Sequence, residues 1–234
     1  MKFRAAAYGF AALAAAGVLL APAAQASSRP VQVSGTQLQS ALLPGSDFGS
    51  GFTSGSPVSS GGSLLHRPAQ GRISSLSCIT FEGLPGIGSY GQTAFAATYV
   101  DNSSKLSGSP SAFGYFIQSV DQFASAQAAA SYFGQAYARY ATCTEFTFRD
   151  PEAGAGTLKI TLRSLAKTRI GTYQAFRATE SGALAGTSGF TLPFQTLAVV
   201  AGADVCYIEA VGGANAPVPA SLIRDLIRRV QELR

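Results

Sequence analysis

The stretch from Phe113 to Cys143, FGYFIQSVDQFASAQAAASYFGQAYARYATC, changes its hydrophobic period partway along. Phe113 to Val120 reads as a strand, whereas from Asp121 to Thr142 the apolar residues recur at helical spacing. Val120, Ala124, Phe133, Tyr137 and Tyr140 can share one broad face, and the alanines between them let that face approach a sheet closely. Ser119 and Gln122 have capping-box spacing, and Asp121 sits in the first turn of the expected helix, where its charge suits the dipole. Gly134 costs about 1 kcal/mol relative to alanine, a loss that tight packing would offset. A strand feeding a long helix sets the fold as a mixture of the two.

Downstream, short strands are expected at Glu145 to Arg149, Leu158 to Arg163, Tyr173 to Thr179, Phe190 to Val200 and Val205 to Val211. Asp150-Pro151, Gly154-Ala155-Gly156, Gly182 to Gly189 and Gly202 separate them, and these connections are too short for helical crossovers, so an antiparallel meander follows. Ala220 to Leu233 is an amphipathic helix with Leu222, Ile223, Leu226, Ile227, Val230 and Leu233 on one face and Arg224, Arg228, Arg229 and Arg234 on its wet side. Burying those six apolar side chains is worth on the order of 10 kcal/mol gross, so the helix should dock on the sheet rather than lie on a membrane. Upstream, Cys78 to Phe81 and Gly91 to Val100 read as strands, with a turn at Asp101-Asn102. Thr36 to Leu43 reads as a short helix stopped by Pro44. Residues 45–63 form a Gly/Ser-rich loop, expected to be pinned to the domain by Phe48 and Phe52. The expected fold class is α+β: a single domain with an antiparallel sheet, a long central helix and a C-terminal amphipathic helix packed on it.

The N-terminus places this domain outside the cytoplasm. Lys2 and Arg4 precede an apolar stretch from Ala5 to Leu20, and Ala24-Gln25-Ala26 is a small-x-small cleavage site, so residues 1–26 read as a signal peptide and residues 27–35 as a mature tail before the domain at 36–234. The expected product is secreted, to the cell envelope or medium, without stable membrane insertion. It carries 15 Lys and Arg against 12 Asp and Glu once Lys2 and Arg4 are removed. No basic run interleaved with aromatics occurs, which argues against nucleic acid as a partner. Cys78, Cys143 and Cys206 remain in a compartment where disulfides persist, and the sequence allows three pairings. A bridge from Cys143 to Cys206 would add roughly 4 kcal/mol in the chain-entropy model.

Catalytic chemistry has little to stand on. His66, in a Leu-Leu-His-Arg-Pro segment, is the one histidine, and no Gly-x-Ser-x-Gly elbow accompanies it, so a hydrolase built on His66 is the weaker alternative. A Cys78 and His66 pair is conceivable, but an exported thiol is more often structural. No Cys-x-x-Cys or paired histidines suggest zinc, and no metal or cofactor is expected. Gly86 to Gly91 spells Gly-x-Gly-x-x-Gly, but Leu84-Pro85 precedes it and a β-like segment follows, the wrong context for a dinucleotide site. Asn102-Ser103-Ser104 reads as a turn rather than a glycosylation site. Tyr90, Tyr99, Tyr115, Tyr173 and Tyr207 could place hydroxyls around an apolar cleft, or be ordinary core and surface tyrosines; no ligand-binding residue is singled out.

From about Leu38 to Arg234 the chain resembles the PknH-like extracellular sensor domain, the outer part of certain actinobacterial receptor Ser/Thr kinases that also occurs alone. The matching pieces are Leu42-Leu43-Pro44, Asp47-Phe48, Gly51-Phe52 and Cys78. Val120 and Phe123 then lead into the Ala-rich helix closed by Tyr140-Ala-Thr-Cys143, and Val205-Cys206-Tyr207 precedes the final helix. The resemblance implies a twisted antiparallel sheet with helices packed on it and a cleft for an unknown ligand. It implies a non-enzymatic, monomeric sensor-type protein whose partner is a small molecule or another exported protein. A structural or surface-interaction protein is a further alternative. Where the family commonly has a fourth cysteine this chain has Glu152-Ala153-Gly154, so the resemblance implies a Cys143 to Cys206 disulfide with Cys78 unpaired. The chain carries no kinase motifs and cannot phosphorylate by that chemistry.

Overall fold

The strand that begins at Tyr115 does not stop at Val120. In the computed structural model, which describes residues 31–59, 72–73, 92–102, 114–149, 157–184, 191–212 and 217–234, it runs to Phe123. The helix starts at Ala126, its N-cap is Ser125, and the Ser125 hydroxyl accepts from the Ala128 amide at 3.1 Å. The Ser119 and Gln122 capping box is thus corrected. Both residues sit in a strand covered on its two faces, where alternation gives way to continuous burial and the end of the strand is masked.

The strands are β1 (Thr53–Ser54), β2 (Val58–Ser59), β3 (Arg72–Ile73), β4 (Gln92–Asp101), β5 (Tyr115–Phe123), β6 (Glu145–Arg149), β7 (Leu158–Ile170), β8 (Tyr173–Leu184), β9 (Thr191–Ala201) and β10 (Asp204–Val211). Among the described residues they form one antiparallel sheet in the order β1-β4-β5-β10-β9-β8-β7-β6-β3, with β2 also paired to β4. The expected meander is β6 to β10. The β4-β5 hairpin joins it through β5 and β10, which pair from Tyr115↔Val211 to Gln122↔Asp204. β7 and β8 are longer than their periodicity suggests, and join through Gly171-Thr172, while β9 and β10 join through Gly202-Ala203. Each of these two-residue turns has positive φ at its glycine alone, the backbone of a II′ hairpin turn.

The helices α1 (Gly35–Ala41), α2 (Ala126–Thr142) and α3 (Ala220–Gln231) cover both faces. On one face α1, Leu43 just beyond it and α3 pack over Ala96, Val120, Val199, Cys206 and Ile208, the helices through Leu38, Leu222, Ile223, Leu226, Ile227 and Val230. On the other, α2 packs over Phe123, Phe176, Ala198, Val205 and Tyr207 through Ala129, Tyr132, Phe133, Ala136 and Tyr140. Val120, expected on the face of α2, belongs to the opposite layer. Of the arginines expected on the wet side of α3, Arg229 reaches Asp47 at 3.3 Å and Arg234 holds buried Asp204 at 2.7 Å. Phe48 and Phe52 both pack on Phe116, with ring centroids 4.9 and 5.5 Å away.

The N-terminal segment is attached by two buried glutamines of β5. Gln118 donates to the Leu43 carbonyl at 2.7 Å and accepts from the Leu43 amide at 2.9 Å, and Gln122 accepts from the Val33 amide at 3.0 Å. Replacing Gln118 by leucine leaves a buried amide and carbonyl unmet. The Gln118→Leu variant is expected to lose about 3 kcal/mol in urea unfolding, and an unchanged midpoint would show that this attachment is not stabilising.

Candidate functional site

The pairing registers lay the α2 face out as rows. Ala97, Ser119, Tyr207, Ala198 and Phe176 are neighbours across β4, β5, β10, β9 and β8. Two residues along comes Tyr99, Ile117, Glu209, Thr196 and Ala178, and two further Asp101, Tyr115, Val211, Phe194 and Glu180. α2 lies over the first row and its last turn delivers Tyr140 to the second. There the Tyr140 hydroxyl lies 3.4 Å from Thr196 Oγ1, and the Tyr207 hydroxyl donates to Glu209. Beyond that point the face carries half-buried Tyr99, Tyr115, Ile117, Phe194 and Val211, with Tyr99 stacked on Tyr115 at 5.9 Å. Gly55 is pressed so closely against the Tyr99 ring that a β-carbon there would run into it.

Two carboxylates converge on this region, Glu180 and Glu209, each only 7 % exposed. Burial pushes the Tyr140 hydroxyl well above the usual phenol range, and the charges of Glu209 and Glu180 push it further. Tyr140 is therefore a protonated hydroxyl at any physiological pH. The arrangement sets two nearly buried carboxylates and the buried Tyr140 and Tyr207 hydroxyls beside the half-buried Tyr99 and Tyr115 rings, the mixture of apolar walls and few placed polar groups that small-molecule sites use. No group of metal-ligating side chains occurs among the described residues.

Of the tyrosines marked in the sequence, the structure brings Tyr99, Tyr115 and Tyr207 onto this face. Tyr173 belongs to the opposite layer, where its hydroxyl accepts from Gln231 at 2.8 Å. Tyr90, His66, Cys78, the Gly86 to Gly91 pattern and residues 1–26 lie outside the described residues. Tyr140, Glu180, Glu209 and Thr196 were missed. Strand parity was the available signal, since Tyr207 and Glu209 are two apart and must share a face.

The Cys143 to Cys206 disulfide is corrected. Cys206 is a free thiol, 1 % exposed, in the layer beneath α3. Cys143 caps the end of α2 on the other side of the sheet and is itself disulfide-bonded. A sheet between the two β-carbons forbids their bridging. Burial, then the charges of Asp204 and Asp121, push the Cys206 thiol well above its usual range, so it is inert in the folded protein. Non-reducing peptide mapping is expected to find Cys143 joined to the peptide that carries Cys78, and Cys206 alkylated only after denaturation. A linkage through Cys206 would contradict the strand parity.

No family model matches the chain, and no curated protein matches its sequence. The architecture, a broad antiparallel sheet with α2 on one face and α1 and α3 on the other, is nevertheless a known one. The crystal structure of the extracellular domain of PknH from Mycobacterium tuberculosis has the same fold, with a TM-score of 0.66 and 16% identity over 86% of this chain and 98% of that one. An X-ray structure of a Mycobacterium smegmatis protein, an Rv0999 ortholog, aligns at 14% identity and a TM-score of 0.37 over 85% of this chain and 94% of that one. At 16% identity the likeness to the PknH domain is one of fold. No helix among the described residues is long and apolar enough to cross a membrane.

Asp121, on β5 beneath the α2 layer, gives this face a pH dependence. Burial raises its carboxyl from 3.8 to about 7, opposed by the Gln92 amide that donates to it at 2.7 Å. The folded state keeps the proton to higher pH than the unfolded chain. Stability from this group is full below pH 3.8 and is lost as the pH climbs to about 7, on the order of 4 kcal/mol in all. Asp204 is shifted the same way, by burial against the charge and hydrogen bond of Arg234. Urea titrations from pH 4 to 8 are expected to show this decline, and Asp121→Asn to flatten most of it; equal slopes in the two proteins would refute the assignment.

Proposed function

We propose that the mature chain is an exported, non-catalytic sensor-type domain that binds a small ligand at the end of α2, on the patch formed by Tyr99, Tyr115, Tyr207, Tyr140, Glu180 and Glu209. The observation that carries the reading is the change of chemistry along one sheet face. Under α2 the face is mostly apolar, with Ser119 and the Gln92-bonded Asp121 as its buried polar groups, and past Tyr140 it presents half-buried tyrosines beside two carboxylates. The fold shared with an extracellular domain of PknH supports an extracellular receptor-like role. The signal-peptide pattern of residues 1–26 supports export. The ligand this patch suits is rich in hydroxyl or ammonium groups: these donate to carboxylates while an adjoining apolar or cationic surface lies on the tyrosine rings.

Thermal unfolding of the mature protein in the presence of oligosaccharides, amino sugars and polyamines tests this. A ligand at a hundredfold its Kd stabilises by about 2.7 kcal/mol, which raises the Tm of a domain this size by roughly 5–10 °C. The shift is expected to disappear in Tyr99→Ala and to shrink in Glu209→Gln. No shift with any of the three classes, or a shift that both variants leave intact, would count against the patch and favour a purely structural role.

A further inference from the structure

β7 is paired on both sides only at its beginning. β6 meets it from Leu158 to Thr161 and ends with the Leu162 amide donating to the Thr144 carbonyl at 2.9 Å. β8 continues alongside to Ile170. From Ser164 to Arg169 the outer edge of β7 therefore has no strand beside it among the described residues. The hairpin fixes which groups face outward. Ile170↔Tyr173 closes a two-residue turn, so that pair exchanges both of its hydrogen bonds, and bonded and non-bonded pairs alternate from there. Thr168, Ala166 and Ser164 spend their amides on β8. Arg169, Lys167 and Leu165 turn theirs toward the open edge.

The same three residues carry their side chains to the α2 face. Leu165 packs against that layer, and Lys167 Nζ stands 4.8 Å from the centre of the Tyr137 ring. β7 has four cations, Lys159, Arg163, Lys167 and Arg169, and no acidic residue. Where β6 covers the edge, it answers with a carboxylate: Glu145 pairs with Lys159 at 2.9 Å. Where β6 stops, Lys167 and Arg169 are exposed and make no ion pair among the described residues.

We propose that the edge from Leu165 to Arg169 takes an extended, acidic segment of another protein as an additional antiparallel strand, with carboxylates at alternate positions facing Lys167 and Arg169. Outward amides supply the backbone pairing and the two cations supply its selectivity, as in other strand-addition interfaces. A second copy of this chain is a poor occupant, because it would bring the same cations to the seam, and like charges opposite one another weaken a ladder. The surface is separate from the Tyr99 and Glu209 patch, so either can fail alone.

The probe is a capped octapeptide alternating threonine and glutamate, with the threonine and lysine counterpart as control, followed by fluorescence anisotropy and amide hydrogen exchange. The glutamate peptide is expected to bind the mature protein at least about tenfold more tightly than the lysine peptide and to slow exchange at Leu165, Lys167 and Arg169. The double variant K167E/R169E should reverse the preference. K167P, which removes an amide facing the open edge and no bond to β8, should weaken binding far more than K167Q. Equal or undetectable binding of the two peptides overturns the proposal. So does an equal effect of K167P and K167Q, which would reduce the surface to a patch of charge, or a dimer in sedimentation that K167E/R169E abolishes.

Discussion

A sheet covered on both faces has no water with which to satisfy its polar side chains, and the rest of this structure is arranged around that constraint. β5 and β10 together bury Gln118, Asp121, Gln122, Asp204 and Glu209. Each makes at least one hydrogen bond, and each bond comes from a different direction, although the Gln122 Nε2 group makes none. Leu43 and Val33 of the N-terminal segment answer the glutamines, Gln92 of β4 answers Asp121, Arg234 after α3 answers Asp204, and Tyr207 answers Glu209. An unmet buried group costs more than its bond returns. The central polar residues thereby specify where the peripheral segments go, and hydrophobic burial alone would leave that choice loose.

Much of the fold was legible because the outer strands and α3 repeat their patterns cleanly. The meander, the β4 strand, the C-terminal helix and the anchoring phenylalanines of residues 45–63 follow from period, turn residues and isolated aromatics. The errors cluster where burial is two-sided or an edge is exposed. Asp121 and Gln122 look like a helix start because polar residues are rare in a buried strand, and only their partners explain them. Ser164 to Ile170 escaped notice for the opposite reason: Ala166, Lys167 and Arg169 have little strand propensity and are held there by the β8 ladder.

The same distinction governs the site. Tyr99, Tyr115 and Tyr207 could be marked as candidates by residue type, yet nothing local separates them from Tyr173, which faces the other way. What joins them to Tyr140 and Glu209 is the register of five strands with the length of α2, and register is a long-range property. The Cys143 to Cys206 pairing failed on the same point. Sequence spacing permits it, and the parity that turns Cys206 toward Ile208 and α3 forbids it.

The ladder between β5 and β10 joins residues far apart in time as well as in sequence. Gln122 pairs with Asp204, 82 positions later. At synthesis rates of about 5–20 residues per second, the partner strand leaves the ribosome several seconds after β5 is complete. For that interval β5 has β4 on one side and an unpaired edge of backbone amides and carbonyls on the other. A nascent chain of this design is at its stickiest when half made, and its yield in a host cell will depend on whatever holds the β4-β5 hairpin soluble until its last strand arrives.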